Sequence, residues 1–175
     1  MSELLRLSVN GLDWAVAVEP EETLAELLRE RLGLRGTRLG CEQGVCGACT
    51  VLLDGEPVRS CLVLALQAQG REVETVEGLA DDPAGRRVIA EFVRHRAYQC
   101  GFCTAGFEML GVWKARAEAE LSEEQARALA ASNLCRCTGY RPIVAALRAA
   151  SREEAPAASS AEGPVAEGSS TGDPG

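Results

Sequence analysis

The chain has 175 residues, a net charge of −8, and 46% hydrophobic but only 4% aromatic residues. That length holds one ordinary domain or two small ones, and no stretch approaches the roughly 18 apolar residues needed to cross a bilayer. So acidic a chain repels nucleic-acid phosphates and anionic lipid, which excludes nucleic acid and membrane as partners. The charge is uneven. Acids dominate residues 1–79 and the end, whereas residues 80–150 carry a slight excess of base that suits an anionic ligand or partner. The N-terminus, Met1-Ser2-Glu3-Leu4-Leu5-Arg6, has no apolar h-region, so a cytoplasmic location is expected. There, eight cysteines favour metal ligation over disulfides.

Residues 1–79 read as a β-rich unit. Leu5, Leu7 and Val9 alternate with polar neighbours, Asn10-Gly11 supplies a tight turn, and Trp14, Val16 and Val18 continue the period of two. Leu24, Leu27, Leu28 and Leu32 then repeat at helical spacing, with Gly33 as the stop. A second hairpin is expected over 50–53 and 57–64 around Asp54-Gly55, and a last strand over 72–76. A small mixed sheet crossed by one helix fits this order. Residues 80–152 read as helical: Pro83 opens a helix to about Arg96, a second runs from Thr104 to Ala119, Ser122-Glu-Glu-Gln125 is a capping box for a third, and Arg141–Ala150 makes a fourth. From residue 153 the chain is Ala, Ser, Gly, Pro and acid, a composition expected to stay disordered.

The cysteines fall into two sets. In the β-rich half the spacing is Cys41-x4-Cys46-x2-Cys49-x11-Cys61, the plant-type ferredoxin pattern for a 2Fe–2S cluster. Gly40, Gly44 and Gly47 let this loop take left-handed conformations and bring N–H groups close to cluster sulfur. Structural zinc is the competing reading, but it favours paired C-x2-C knuckles. The helical half has Cys100-x2-Cys103 and Cys135-x1-Cys137, each just before an expected helix, where free N–H groups stabilise thiolates. Taken alone, this second set is compatible with zinc or with iron–sulfur.

Three segments, Cys41-Glu-Gln-Gly-Val-Cys46-Gly-Ala-Cys49, Gln99-Cys100-Gly-Phe-Cys103-Thr104 and Asn133-Leu-Cys135-Arg-Cys137-Thr-Gly-Tyr140, together resemble the small subunits of the molybdenum hydroxylases, the xanthine oxidase, aldehyde oxidase and carbon monoxide dehydrogenase family. The resemblance covers residues 4–150. It implies an α+β chain: an N-terminal β-grasp, plant-type ferredoxin domain followed by a C-terminal four-helix bundle, each with one 2Fe–2S cluster. Cys100, Cys103, Cys135 and Cys137 would hold the cluster that receives electrons from the molybdopterin (molybdenum cofactor) of a large subunit. Cys41, Cys46, Cys49 and Cys61 would hold the cluster that passes them to FAD on a medium subunit. Gln99 matches a glutamine that hydrogen-bonds the pterin, and Cys137 matches the cysteine lying against it. The implied assembly is a heterotrimer, doubled as an (LMS)2-type complex. The chain departs from the family in having Thr104-Ala105-Gly106 where Thr-Pro-Gly is common; Ala is a good helix former, so no loss is expected.

Other residues carry little. His95, the one histidine, reads as a solvated residue between arginines and lacks a catalytic partner. Asp81-Asp82 reads as a helix cap, Trp14 and Trp113 as core or interface, and Arg86-Arg87 as a solvated face. No residue of the chain is expected to be catalytic. The competing functions are a freestanding electron carrier, in which Gln99 would have no pterin to meet, and a zinc-stabilised interaction module.

Overall fold

In the computed structural model, which describes residues 2–117 and 120–152, β1 (Glu3–Val9) and β2 (Leu12–Val18) form an antiparallel hairpin. Its turn, Asn10-Gly11, has both φ angles positive, at 51° and 74°, as the twist-matched two-residue turn requires. Asp54-Gly55 turns β3 (Thr50–Leu53) into β4 (Glu56–Arg59) the same way, with φ of 50° and 81°. With β5 (Glu72–Glu74), parallel to β1 and antiparallel to β3, the order is β2-β1-β5-β3-β4. The second hairpin is shorter than expected. Beyond Arg59 the chain coils into a 3-10 turn, Ser60–Leu62, which carries Cys61 off the sheet.

The crossing helix, α1, begins as α-helix over Leu24–Glu26 and widens into a π turn over Leu27–Arg31. Thr23 and Glu26 cap it reciprocally. Leu24, Leu27 and Leu28 are fully buried against Leu5, Val9, Val51, Leu53 and Val73 of the sheet.

The second half packs α2 (Pro83–Arg94), α3 (Thr104–Arg116), α4 (Glu123–Ala131) and α5 (Arg141–Ala150) around Phe92, Phe107, Met109, Ile143 and Leu147. Asp82 caps α2 by accepting the Gly85 N–H at 2.7 Å, and the Ser122–Gln125 capping box opens α4 as expected. Two surface readings are corrected. Arg87 is not simply solvated: it donates to the Ala150 and Ala115 carbonyls, at the ends of α5 and α3, where helices leave acceptors unpaired. His95 lies 3.3 Å from the buried Glu91 carboxylate.

β3 is buried along its whole length. Val51 and Leu53 face the α1 core, while Leu52, fully buried, belongs to the helical core together with Leu79. The sheet is thus covered on one side by α1 and on the other by α3, so the halves share a packed seam. Among the described residues no helix is long and apolar enough to cross a membrane. The expected end of the second helix at Ala119 and the tail from residue 153 lie outside the described residues.

Candidate metal centres

The loop before β3 is wound so that its backbone N–H groups point inward. Glu42, Gly44 and Gly47 take positive φ; Gly40, expected to do so, does not. The N–H groups of Gln43 and Cys46 reach Cys41 Sγ at 3.5 and 3.3 Å, and these donors hold the Cys41 pKa down to about 7. Cys49 and Cys61 lie deeper. Burial, helped by the neighbouring Cys49 thiol, pushes Cys61 up to about 11.

The helical cysteines are brought together from the start of α3 and the loop between α4 and α5. Cys100 and Cys137 are exposed, with sulfurs 3.6 Å apart. Burial pushes Cys103 up to about 12, with the Cys135 sulfur beside it adding to the rise. Cys135 is 7% exposed, yet its pKa falls. Burial acts upward there, but the Thr138 hydroxyl and neighbouring N–H groups outweigh it. Tyr140 closes this loop. Its backbone is left-handed, with φ of 67°, and its hydroxyl accepts the Cys135 N–H at 2.9 Å and donates to the Asn133 carbonyl at 3.1 Å. The ring packs edge-on against Phe107.

The two loops touch. The Leu134 N–H donates to the Cys46 carbonyl at 2.8 Å, and Asn133, 1% exposed, donates from Nδ2 to the Gly47 carbonyl at 3.2 Å. Arg59 bridges from Thr50 to the Ser132 carbonyl. Only glycine fits at 47: a Cβ there would lie 2.0 Å from Asn133 Oδ1, and one at Gly106 would lie 2.3 Å from the Gly47 oxygen. A cavity of about 280 Å³ runs between the loops, lined by Cys41 and Cys46 on one side and Cys100, Cys103, Cys135 and Cys137 on the other. Asn133, Arg59, Thr138 and Tyr140 are the members of this arrangement to which sequence reasoning assigned no role. Asn133, Thr138 and Tyr140 stood inside a recognised motif, but their partners are set by tertiary structure. Gln99 is exposed beside Cys100.

The donor chemistry fits 2Fe–2S clusters. Each half brings four thiols within reach of one another, with their strongest mutual interactions in pairs: Cys49 with Cys61 in one, and Cys100 with Cys137, sulfurs 3.6 Å apart, and Cys103 with Cys135 in the other. Pairs suit a two-iron core held by four thiolates, and a mononuclear zinc site wants four donors around one ion. The Thr104 hydroxyl, buried without a partner one residue after Cys103, is a further donor for anionic sulfur.

Comparison with known proteins agrees. Residues 7–80 match the model of a 2Fe-2S iron-sulfur cluster binding domain, and residues 75–148 match that of a 2Fe-2S binding domain. The chain is 51% identical over 143 residues, 81% of its length and 89% of the relative's, to the 6-hydroxypseudooxynicotine dehydrogenase complex subunit beta of Paenarthrobacter nicotinovorans. It is 44% identical to caffeine dehydrogenase subunit gamma of a Pseudomonas species, covering 86% of this chain and 92% of that one. The crystal structure of quinoline 2-oxidoreductase from Pseudomonas putida 86 superposes with a TM-score of 0.79 at 46% identity, covering 86% of this chain and 94% of that one. With two cluster-binding domains in this order and relatives this close, the chain belongs to the small iron–sulfur, electron-transferring subunits of the molybdenum hydroxylase complexes.

Proposed function

We propose that Cys41, Cys46, Cys49 and Cys61 hold one 2Fe–2S cluster and Cys100, Cys103, Cys135 and Cys137 a second, and that the chain relays electrons from the molybdopterin of a large subunit to FAD on a medium subunit. When bound, each cluster supplies a one-electron carrier. The chain's own residues do the rest. Thiolate pairs fix the iron, inward N–H groups of Gln43 and Cys46 offset negative charge on Cys41, and burial of Cys49, Cys61 and Cys135 keeps water from those ligands.

The observation that carries this reading is the hydrogen bond from the Leu134 N–H to the Cys46 carbonyl. It joins the residue before one proposed ligand to the backbone of another, across a cavity that both sets line. Two unrelated metal sites need not adjoin, whereas an electron relay needs its centres close together. The flanking surface suits partners on both sides. Tyr98, Phe102 and Leu134 are exposed around the helical set, as are Val45 and Leu62 around the other. We assign the first face to the large subunit, with Gln99 and Cys137 against the pterin, and the second to the FAD subunit.

This reading also takes residues 1–79 and 80–152 as the two cluster domains, the second as a four-helix bundle, and the complex as a cytoplasmic (LMS)2-type assembly. Eight cysteines spent on metal rather than on disulfides suit that reducing compartment. Chain purified from iron-replete cells should hold about four iron and about four labile sulfides and co-purify with a molybdopterin-binding partner. One zinc per cysteine set, without labile sulfide, would sink the proposal.

A further inference from the structure

Resting on the reading that Cys135 is a cluster ligand, we propose that Thr138 sets the reduction potential of the helical centre, raising it by donating its hydroxyl proton to the Cys135 sulfur.

Three hydrogen bonds close a ring around this one ligand. The Cys135 N–H donates to the Tyr140 hydroxyl at 2.9 Å, the Tyr140 N–H donates to Thr138 Oγ1 at 3.2 Å, and Thr138 Oγ1 lies 3.1 Å from Cys135 Sγ. The direction of the last bond follows from chemistry. A sulfur bound to iron carries no proton, so it can only accept. The Thr138 oxygen already accepts from Tyr140, which leaves its own proton free to point at the sulfur.

Tyr140 is held so that it cannot drift. Its backbone is fixed in the left-handed region, its hydroxyl also donates to the Asn133 carbonyl, and its ring rests on Phe107. The ring therefore spends the Cys135 N–H on Tyr140 and supplies a hydroxyl to the sulfur instead.

Burial gives this bond its weight. Cys135 is 7% exposed whereas Cys100 and Cys137 are open to solvent, so water competes least for the sulfur that Thr138 reaches. Reduction puts negative charge onto the centre, and a donor aimed at a ligand sulfur stabilises the reduced form more than the oxidised one. The β-half set shows no hydroxyl–sulfur bond among the described residues; there Cys41 is served by backbone N–H groups. A side chain can be exchanged where a backbone donor cannot, so Thr138 is the position at which the two centres can be set apart.

The test is an EPR-monitored redox titration of the iron-loaded full chain or its complex. Thr138→Val keeps the shape and removes the hydroxyl; Thr138→Ser keeps the hydroxyl. Thr138→Val should shift electron sharing between the two centres about tenfold away from the helical one, a fall of about 59 mV for a one-electron couple. The β-half centre should stay unmoved, and Thr138→Ser should stay close to wild type. A Thr138→Val midpoint equal to wild type, or an equal shift in both centres, overturns the proposal. Where Thr138→Val fails to hold iron, resonance Raman spectra in water and heavy water are compared for wild type, Thr138→Ser and Thr138→Ala. A deuterium-sensitive iron–sulfur stretch in the first two and not the third supports the hydroxyl donor, and no difference among the three overturns it. A wild-type chain without iron on these four cysteines overturns the cluster reading as well, which separates the two failures.

Discussion

Adding one methyl group at Gly47 should unseat both loops at once. The residue sits at φ of +72°, and its missing Cβ is replaced in space by the Asn133 carboxamide, with Oδ1 at 2.0 Å and Cγ at 2.4 Å. Asn133 is 1% exposed and cannot swing into solvent. Gly47→Ala therefore incurs a left-handed-backbone cost of about 1–2 kcal/mol and an overpacking cost of about 1–3 kcal/mol. The middle of the combined range, about 3.5 kcal/mol, lowers the melting midpoint of a chain this size by about 7–14 °C. The assay is thermal loss of visible iron–sulfur absorbance, run beside far-UV circular dichroism. Asn133→Ala alone should cost about 1–2 kcal/mol through its lost hydrogen bond and the cavity left behind. In the double variant the clash is gone while the backbone strain remains, so the combined loss should fall short of the sum by about 1–2 kcal/mol. Strict additivity, or a Gly47→Ala chain that melts with wild type, would refute the account of the seam.

Glu108 gives a pH signature: burial raises its carboxyl pKa to about 7 from the ordinary 4.5. Because the folded chain holds this proton more tightly than the unfolded one, stability is highest below about pH 4.5 and declines as pH rises through about 7. Glu108→Gln should flatten that decline and stabilise the chain at pH 8 by on the order of 2–3 kcal/mol, measured as the difference in melting midpoint between pH 5 and pH 8. An unchanged slope would show that another group controls it. Cys46→Ser should remove the β-half EPR signal and leave the helical one in place; loss of both signals without unfolding would mean that the cysteines are divided wrongly.

Where structure follows from neighbours in sequence, it was legible. Asn10-Gly11 and Asp54-Gly55 announce their hairpins because both dipeptides tolerate positive φ, and Ser122 and Gln125 announce the start of α4 because the capping box is local. The cysteine spacing is local in the same sense, since it is written directly in the chain. What escaped depends on distant partners. The strand expected to reach residue 64 stops at Arg59, and the 3-10 turn that follows seats Cys61 with Cys49. Asn133 meets Gly47 across 86 positions, and Arg87 finds carbonyls on two other helices. No periodicity marks these residues. Their roles exist only after the two halves have docked.

The double burial of β3 has a bearing on how such chains can be altered. A strand with a wet side lets that side vary freely, but here Val51 and Leu53 answer to one core and Leu52 to the other. Neither half carries a finished surface at the seam. A replacement ferredoxin half must arrive with its own match for Leu52, Gly47 and the Arg59 bridge, or it leaves α3 facing a gap. An engineered replacement therefore has to treat the two halves as one piece, with β3 as the part that belongs to both.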